Sequence, residues 1–420
     1  MAPPPKSRLL TALDIGSSKV SALIAERGDE GALRVLGTGQ RESRGVKRGF
    51  IADMEKAEVA IREAVEQAER IAGVAIEEAF VGFSAGGLSS LTAEGEIDIG
   101  GHRVEPADVA RVRAIACEGI DSDGRLVLHA QPALYMLDGM EGVLRPAGLH
   151  ADRLGVEIHV IAAERSPARN LDLAVRSAHL GVSAIVASPI AAGMACLSAE
   201  ERELGVALVE LGAGMTNVSL FAGGMLVGLK SIPIGGNDIS EDIATSFATR
   251  RAEAERVKCF YGSATSSTRD NHDMVEIAPI AGAEEGAEPA RITRAQLNSV
   301  IAQRLEQLVG EIAAALEELG FTGPVGRQVV LTGGGSELKG IADFAQGVLG
   351  RAVRVGRPAR IQGLPEAHSG PAFAALAGLA QFGASDDPDL VPLAGGEQIV
   401  RKMGGAGLLA RLIAALRSSY

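Results

Sequence analysis

The sequence predicts an α/β fold, internally duplicated, whose two halves close around one ligand. Three observations carry this expectation. Residues 205–224, GVALVELGAGMTNVSLFAGG, read as strand, glycine turn, strand and glycine turn. Residues 10–25, LTALDIGSSKVSALIA, repeat that layout. A third glycine run, Thr332-Gly333-Gly334-Gly335-Ser336, closes a short apolar strand.

The first stretch justifies itself residue by residue. Residues 206–211 are apolar except Glu210, as for a strand covered on both faces. Gly212 and Gly214 lack a Cβ, so the turn can be tight and can approach an anion closely. Residues 216–220 alternate, the period of a strand with one buried face. A dinucleotide fold would continue into a helix after its glycines. A strand follows here, so the turn is a hairpin tip. Small residues at such a tip, beside a carboxylate, suit a triphosphate with its metal.

In the second copy Asp14 aligns with Glu210, Gly16 with Gly212, Ser18 with Gly214 and Lys19 with Met215. Each copy continues into a third strand-like run, residues 32–37 and 225–229, and then a helix. The first helix has Asp53 as N-cap, apolar residues from Val59 to Ile71 at helical spacing, and Gly73 as its stop. The second spans about residues 238–247. Two such units in one chain argue for duplication.

Composition narrows the class. The chain has 420 residues, 46% of them hydrophobic, enough for a large core. Net charge is −12, there is no Trp, and only three Tyr are present. That balance lacks both the basic footprint and the stacking aromatics of a nucleic-acid binder. Cys117, Cys196 and Cys259 show no metal-ligand spacing and read as reduced thiols. The Pro-rich amino terminus has no signal-peptide core, and no apolar run is long enough to cross a membrane. A cytoplasmic protein is expected.

Two insertions interrupt the halves. Residues 84–159 begin β-rich, pass through a helix opened by Glu105-Pro106, and contain strand candidates at 125–131 and 154–162. A helix at 166–180, capped by Ser166, leads back to a buried strand at 185–187 and a small-residue helix at 189–197. Residues 241–324 form the second insertion. It carries a helix at 250–261, with Glu255 and Lys258 on one face, and a long amphipathic helix at 293–319. The strand at 328–331 then meets the third glycine run and a helix at 338–349, a junction where helix N–H groups can face phosphate. Residues 371–382 form the last core helix. Residues 384–402 have linker composition. In residues 403–420, Leu408, Leu409, Leu412, Ile413 and Leu416 fall on one face of a short basic helix, the pattern of an interfacial membrane anchor.

With glycine turns in the order hairpin, hairpin, strand–helix, the chain resembles the actin/hexokinase/DnaK-type ATPase superfamily. DIGSSK (14–19) looks like its first phosphate loop, ELGAGMT (210–216) its second, and VVLTGGGSELKGI (329–341) its adenosine motif. Within it, the chain resembles the FtsA family of bacterial cell-division actin homologues. That likeness is carried by residues 125–161, by SIPIGGNDISEDIA (231–244), by AEAERVKCFYG (252–262) and by the amphipathic tail. The resemblance implies two ribonuclease-H-like core subdomains, 8–83 with 160–203 and 204–240 with 325–383. It also implies an inserted subdomain at 84–159 and another at 241–324.

The resemblance further implies binding of ATP with Mg2+, polymerisation with other copies of the chain, and work with other divisome proteins at the inner membrane. The tail would bind lipid and tether the tubulin-like FtsZ ring. Asp14 would orient the magnesium. Gly16, Ser17, Ser18 and Lys19 would hold β- and γ-phosphates, with Gly212, Ala213, Gly214 and Thr216 opposite. Gly333, Gly334, Gly335 and Ser336 would lie against ribose and α-phosphate, and Glu255 and Lys258 would edge the adenosine. Arg291, Arg294 and Arg304 would receive the acidic carboxy-terminal peptide of FtsZ.

Three departures weaken the catalytic expectation. The second loop carries Glu210, Ala213 and Met215 where DxGGGT is usual. Ser188 stands before Pro189, where hydrolytic relatives often carry a Glu. Hydrolysis needs an oriented water and stabilised transition-state charge beyond binding. Slow or absent turnover is therefore expected, and no catalytic residue is assigned. Two alternatives stay open at this point: a small-molecule kinase of the same superfamily, and another filament-forming or pilus-assembly actin relative.

Overall fold

A computed structural model describes residues 9–28, 31–120, 124–143, 145–278, 290–321 and 328–385. The first half opens with β1 (Leu9–Ile15), β2 (Lys19–Arg27) and β3 (Leu33–Glu42), each antiparallel to the one before. A miniature hairpin follows, β4 (Val46–Lys47) and β5 (Phe50–Ile51). Helix α1 (Met54–Ala72) is capped by the Asp53 carboxylate, which accepts from Lys56 N, and stopped by Gly73 at φ 70°. It buries Ala57, Ala60, Ile61, Ala64, Val65 and Ala68. Removing the Ile61 side chain alone from water is worth about 1.5–3 kcal/mol. Strand β6 (Glu78–Phe83) then runs parallel to β1.

An inserted domain leaves the sheet here. It contains β7 (Ser89–Asp98), α2 (Pro106–Glu118), β8 (Leu126–Leu137), β9 (Met140–Val143) and β10 (Arg153–Ala163). Its sheet order is β7-β10-β8-β9, and Val112, Leu154, Val156 and Ile158 form its own small core. The chain returns through α3 (Arg165–Ser177) to β11 (Gly181–Ala187), parallel to β6. Helices α4 (Ser188–Cys196) and α5 (Ala199–Leu204) lead into the second half.

That half repeats the plan with β12 (Val206–Leu211), β13 (Thr216–Ala222) and β14 (Met225–Ile232). Next come α6 (Gly236–Ser246), α7 (Arg251–Tyr261), the short pair β15 (Met274–Ile277) and β16 (Ala290–Thr293), and the long α8 (Arg294–Glu318). Strand β17 (Val329–Thr332), α9 (Ile341–Leu349), β18 (Val353–Val355) and α10 (Ala374–Ala384) complete it. The two large sheets have the same order, β3-β2-β1-β6-β11 and β14-β13-β12-β17-β18. In each, a hairpin strand at the centre pairs antiparallel on one side and parallel on the other. The expected duplication is therefore present in the topology. Helices α4 and α10 cross closely: a Cβ on Gly378 would lie 1.7 Å from Ala191 O, so only glycine fits there.

Several local expectations are corrected. Ser166 does not cap α3; the helix already starts at Arg165 with Glu164 as its N-cap residue. The third glycine run does not lead straight into an α-helix. Gly333 (φ 82°) and Gly340 (φ 76°) adopt left-handed backbone, so a 3-10 turn at Gly334–Glu337 intervenes and α9 begins at Ile341. A second 3-10 turn, Pro371–Phe373, precedes α10. Strand β9 and helix α5 were not anticipated. The latter announces itself by a capping box, Ser198 with Glu201. Among the described residues the three cysteines are free, and no helix is long and apolar enough to cross a membrane. The tail leucines at 408, 409, 412 and 416, Ile413, and most of the 384–402 linker lie outside the described residues.

Candidate functional site

The two hairpin tips line one cleft of about 770 Å³. Each tip is closed by the same bond: Gly16 N donates to Lys19 O at 3.0 Å, and Gly212 N to Met215 O at 2.9 Å. A Cβ on Gly214 would lie 3.0 Å from Arg48 Cα and 3.1 Å from Ser17 Oγ. The second tip thus packs tightly against the first tip and against the β4–β5 turn. Gly49 N in that turn donates to Ser17 Oγ at 2.8 Å.

Asp14 and Glu210 sit near the ends of the two central strands, at the cleft floor. Burial pushes the Asp14 carboxyl up, and nearby Lys19 works against that rise. Burial pushes Glu210 up to about 7, with Asp14 adding repulsion and a 3.2 Å bond from Asn217 Nδ2 restraining it. Burial lowers the Lys19 ammonium to about 8, against the pull of Asp14 and Glu337. That ammonium lies 3.2 Å from the centroid of the Phe373 ring. Two mutually repelling, desolvated carboxyls across a glycine-lined gap suit a site that receives positive charge.

At the other end of the cleft, Lys258 Nζ reaches Glu255 Oε2 at 2.7 Å and Ser240 Oγ and Gly236 O at 2.9 Å. Burial opposes the Glu255 carboxylate, yet Lys258 and the hydroxyl of Ser240 hold it below the ordinary value. These bonds tie α7 to the first turn of α6. That turn is itself fixed to the second tip, since Gly236 N donates to Gly212 O and Asn237 N to Ala213 O. The third glycine run packs on the end of β12: a Cβ on Gly333 would lie 2.5 Å from Leu211 O.

Of the residues expected here, Asp14, Gly16, Ser17, Ser18, Lys19, Glu210, Gly212, Ala213, Gly214, Met215, Glu255, Lys258, Gly333, Gly334 and Gly335 line the cleft. Thr216 and Ser336 do not. Thr216 is fully buried and its Oγ1 donates to Ile234 O at 2.8 Å. Ser336 Oγ donates to Gly333 O at 2.7 Å and supports the turn from behind.

The three arginines do not share one face. Arg291 on β16 pairs with Glu276 at 2.9 Å. Arg294 lines the cleft and donates to Tyr261 O at 2.8 Å. Arg304 forks onto Asp242 of α6. Ten positions along α8 separate the last two by roughly 15 Å along the axis and only about 80° around it, so it is the rise that parts them.

Two features around the cleft were missed in the sequence. Asn217 faces Glu210 directly across the hairpin, a register that counting back from the tip would have found. Arg48 crosses from the first half to the second, donating to Pro233 O and, at 3.1 Å, to Asp238. No local pattern marks that reach.

Comparison with known proteins follows the same lines. A family model described as "Cell division protein FtsA" matches residues 207–378, and one described as "SHS2 domain inserted in FTSA" matches residues 85–162, the inserted domain. The chain is 37% identical over 428 residues to "Cell division protein FtsA" of Rhizobium meliloti (strain 1021), covering 100% of this chain and 96% of that one. It is 30% identical to the protein of that name in Escherichia coli (strain K12), over 90% of each chain.

Among solved structures, the "PilM-PilN type IV pilus biogenesis complex" matches with a TM-score of 0.63 at 19% identity, over 91% of this chain and all (100%) of that one. MreB5 of Spiroplasma citri bound to ADP matches with a TM-score of 0.50 at 14% identity, over 90% of this chain and 96% of that one. These two share the actin-like fold. Taken with the near full-length identities, the duplicated sheets and the inserted domain place this chain in the FtsA family of cell-division proteins.

Proposed function

We propose that this chain binds ATP with magnesium, polymerises, helps recruit other division proteins, and ties the FtsZ ring to the cytoplasmic face of the inner membrane. The observation that carries the nucleotide reading is the pair of equivalent glycine hairpins with Asp14 and Glu210 on one cleft floor. The residues fit the ligand. Gly16, Gly212 and Gly214 bring no side chain to the tips, and Lys19 offers a cation whose lowered pKa an arriving phosphate would restore. A divalent cation, when bound with the triphosphate, supplies neutralising charge to the phosphate oxygens. Asp14, with Glu210 opposite, would orient its water shell. Glu255 and Lys258 would border the adenosine, and Gly333, Gly334 and Gly335 the ribose and α-phosphate.

Turnover is expected to be slow. Ser188 lies in the buried first turn of α4, and a Cβ on Gly82 would touch both its Oγ (3.3 Å) and Asp14 Oδ1 (3.6 Å). A hydroxyl there cannot serve as a carboxylate base for water at neutral pH. Membrane attachment rests on the amphipathic pattern of residues 403–420. Single tails would bind lipid reversibly, and a polymer would bind by avidity.

The test is titration of the full chain with a fluorescent ATP analogue, with and without magnesium. Electron microscopy on anionic vesicles with ATP would follow, comparing the full chain with one lacking residues 403–420. Magnesium-dependent binding is expected, with lipid-bound filaments that the truncation abolishes. A folded full chain that binds no nucleotide would overturn the reading. Phosphate release at several turnovers per minute would overturn its slow-turnover part.

A further inference from the structure

The turn between β4 and β5 lies between the two hairpin tips and is bonded toward both. It consists of Arg48 and Gly49, at φ 51° and 76°, positive at both positions as in a type I′ hairpin turn. Glycine takes that backbone freely, and asparagine and aspartate tolerate it. Arginine at the first position is uncommon, which directs attention to its side chain.

The turn is seated on the first half. Ser43 N, just before the hairpin, donates to Ser18 O at 2.9 Å, and Gly49 N donates to Ser17 Oγ at 2.8 Å. Gly45 O accepts from Ala52 N and Asp53 N at 2.8 and 3.0 Å, which joins the hairpin to the cap of α1. From this base the Arg48 guanidinium reaches the second half. It donates to Pro233 O and, at 3.1 Å, to Asp238 Oδ1. The other carboxylate oxygen of Asp238 accepts from Gly235 N at 2.7 Å. Gly236 N and Asn237 N, in the same turn of α6, donate to Gly212 O and Ala213 O of the second tip. A continuous run of bonds thus links the first tip to the second through one side chain.

We propose that Arg48 is a clasp that sets the spacing of the two tips, and so positions their grip on the outer phosphates of a nucleotide without touching it. The inference rests on the nucleotide reading of the cleft and adds the residue that presets it. Gly49 lines the cleft and Arg48 does not. The halves are also joined where α4 crosses α10, with Gly378 packed on Ala191. One such crossing leaves rotation about it open, and a second join at the tips fixes the angle. Without the clasp, a bound triphosphate must itself draw the tips together, and that ordering is subtracted from its affinity. The loss grows with the number of phosphates that need both tips. The groups placed at the adenosine, Glu255, Lys258 and the third glycine run, all belong to the second half, so their grip needs no clasp.

The experiment is calorimetric titration of the full chain, with magnesium, against a non-hydrolysable ATP analogue, ADP and AMP. Arg48→Ala is expected to weaken the ATP analogue roughly three- to tenfold, ADP less, and AMP not at all. Arg48→Gly suits the positive φ better than alanine, and is expected to give the same graded loss without backbone strain. Arg48→Lys, with one ammonium for two acceptors, is expected to fall between the parent and Arg48→Ala.

The outcomes separate the clasp from the reading beneath it. If the parent binds none of the three ligands, the nucleotide reading fails and the clasp fails with it. If the parent binds and the Arg48 variants bind every ligand as it does, the clasp alone is overturned. If the variants weaken all three ligands equally, Arg48 supports the fold of the second half without setting the spacing, and the clasp is again overturned.

Discussion

The two hairpins at the cleft share a backbone and differ in chemistry. Both close their tips through the same glycine-to-carbonyl bond, and both bring an acid to the cleft floor. Beyond that they part. In the first, Asp14 is served by a cation of its own loop, Lys19, and its cross-strand partner is Ser21, whose buried Oγ has no hydrogen-bond partner among the described residues. In the second, the position of Lys19 holds the buried Met215, and the cross-strand partner of Glu210 is Asn217. The Asn217 amide bonds Glu210 and is itself bonded by Ser231 Oγ at 2.7 Å. The two tips thus share their backbone geometry and divide the charge. One arm carries the cation, and the other carries an acid backed by an amide.

The division breaks most visibly if the first arm is given the second arm's residue. Lys19→Met should weaken nucleotide binding about ten- to hundredfold, the scale of a lost hydrogen bond to a charged group. Titration with a fluorescent ATP analogue measures it. Unchanged affinity would show that Lys19 stays on Phe373 and serves the fold alone.

Next in size is a pH effect that belongs to the second arm. Glu210 titrates at about 7 in the folded chain against 4.5 ordinarily. Between those values the folded state keeps a proton that the unfolded chain has lost, so stability falls as pH rises through that window. The fall from Glu210 is about 3 kcal/mol at most, and Asp14, raised by the same burial, adds in the same direction. Glu210→Gln should remove the Glu210 part of the slope. It should make the nucleotide-free chain more stable than the parent at pH 8 while weakening magnesium-dependent binding. Chemical denaturation across pH 4.5–8 without nucleotide is the measurement. An unaltered slope in the variant would place the titration elsewhere.

A smaller difference lies in the backbones themselves. A Cβ on Gly212 would lie 2.7 Å from Met215 O, whereas one on Gly16 would lie 3.1 Å from Lys19 O. Gly212→Ala should therefore cost about 1–3 kcal/mol and Gly16→Ala less. Equal or reversed losses in thermal melts would show that the second tip is not the tighter one.

These contrasts also explain what was legible beforehand. The hairpins declare themselves because glycine, alternation and a lone acid in an apolar strand are local signals. The third glycine run declared a turn but not its kind. Glycines admit both a helix start and the left-handed backbone seen at Gly333 and Gly340, and packing decides, against Leu211 for the first and Thr265 for the second. Arg48 was illegible because its acceptors, Pro233 and Asp238, lie 185 and 190 positions away and β4 and β5 are too short to show a period. The separation of Arg294 from Arg304 was legible in principle. Ten positions on a helix mean about 15 Å of rise, a distance that carrying the arginines over together from the resemblance passed over.

The smallest expected effect is the most specific to the comparison. Asn217→Ser gives the second arm the cross-strand residue of the first. The shorter side chain loses both the bond to Glu210 and the one from Ser231, at a cost of about 0.5–1.5 kcal/mol. The Asn217 amide donates its hydrogen, so it favours the ionised form of Glu210, and its loss must push the Glu210 pKa further up. The penalty should therefore be larger at pH 8, where Glu210 is charged, than at pH 5, where the folded chain keeps it protonated. Urea melts at the two pH values resolve this. A penalty equal at both would mean that Asn217 supports β13 through Ser231 alone, and the two arms would then differ in their cation but not in how they hold their acids.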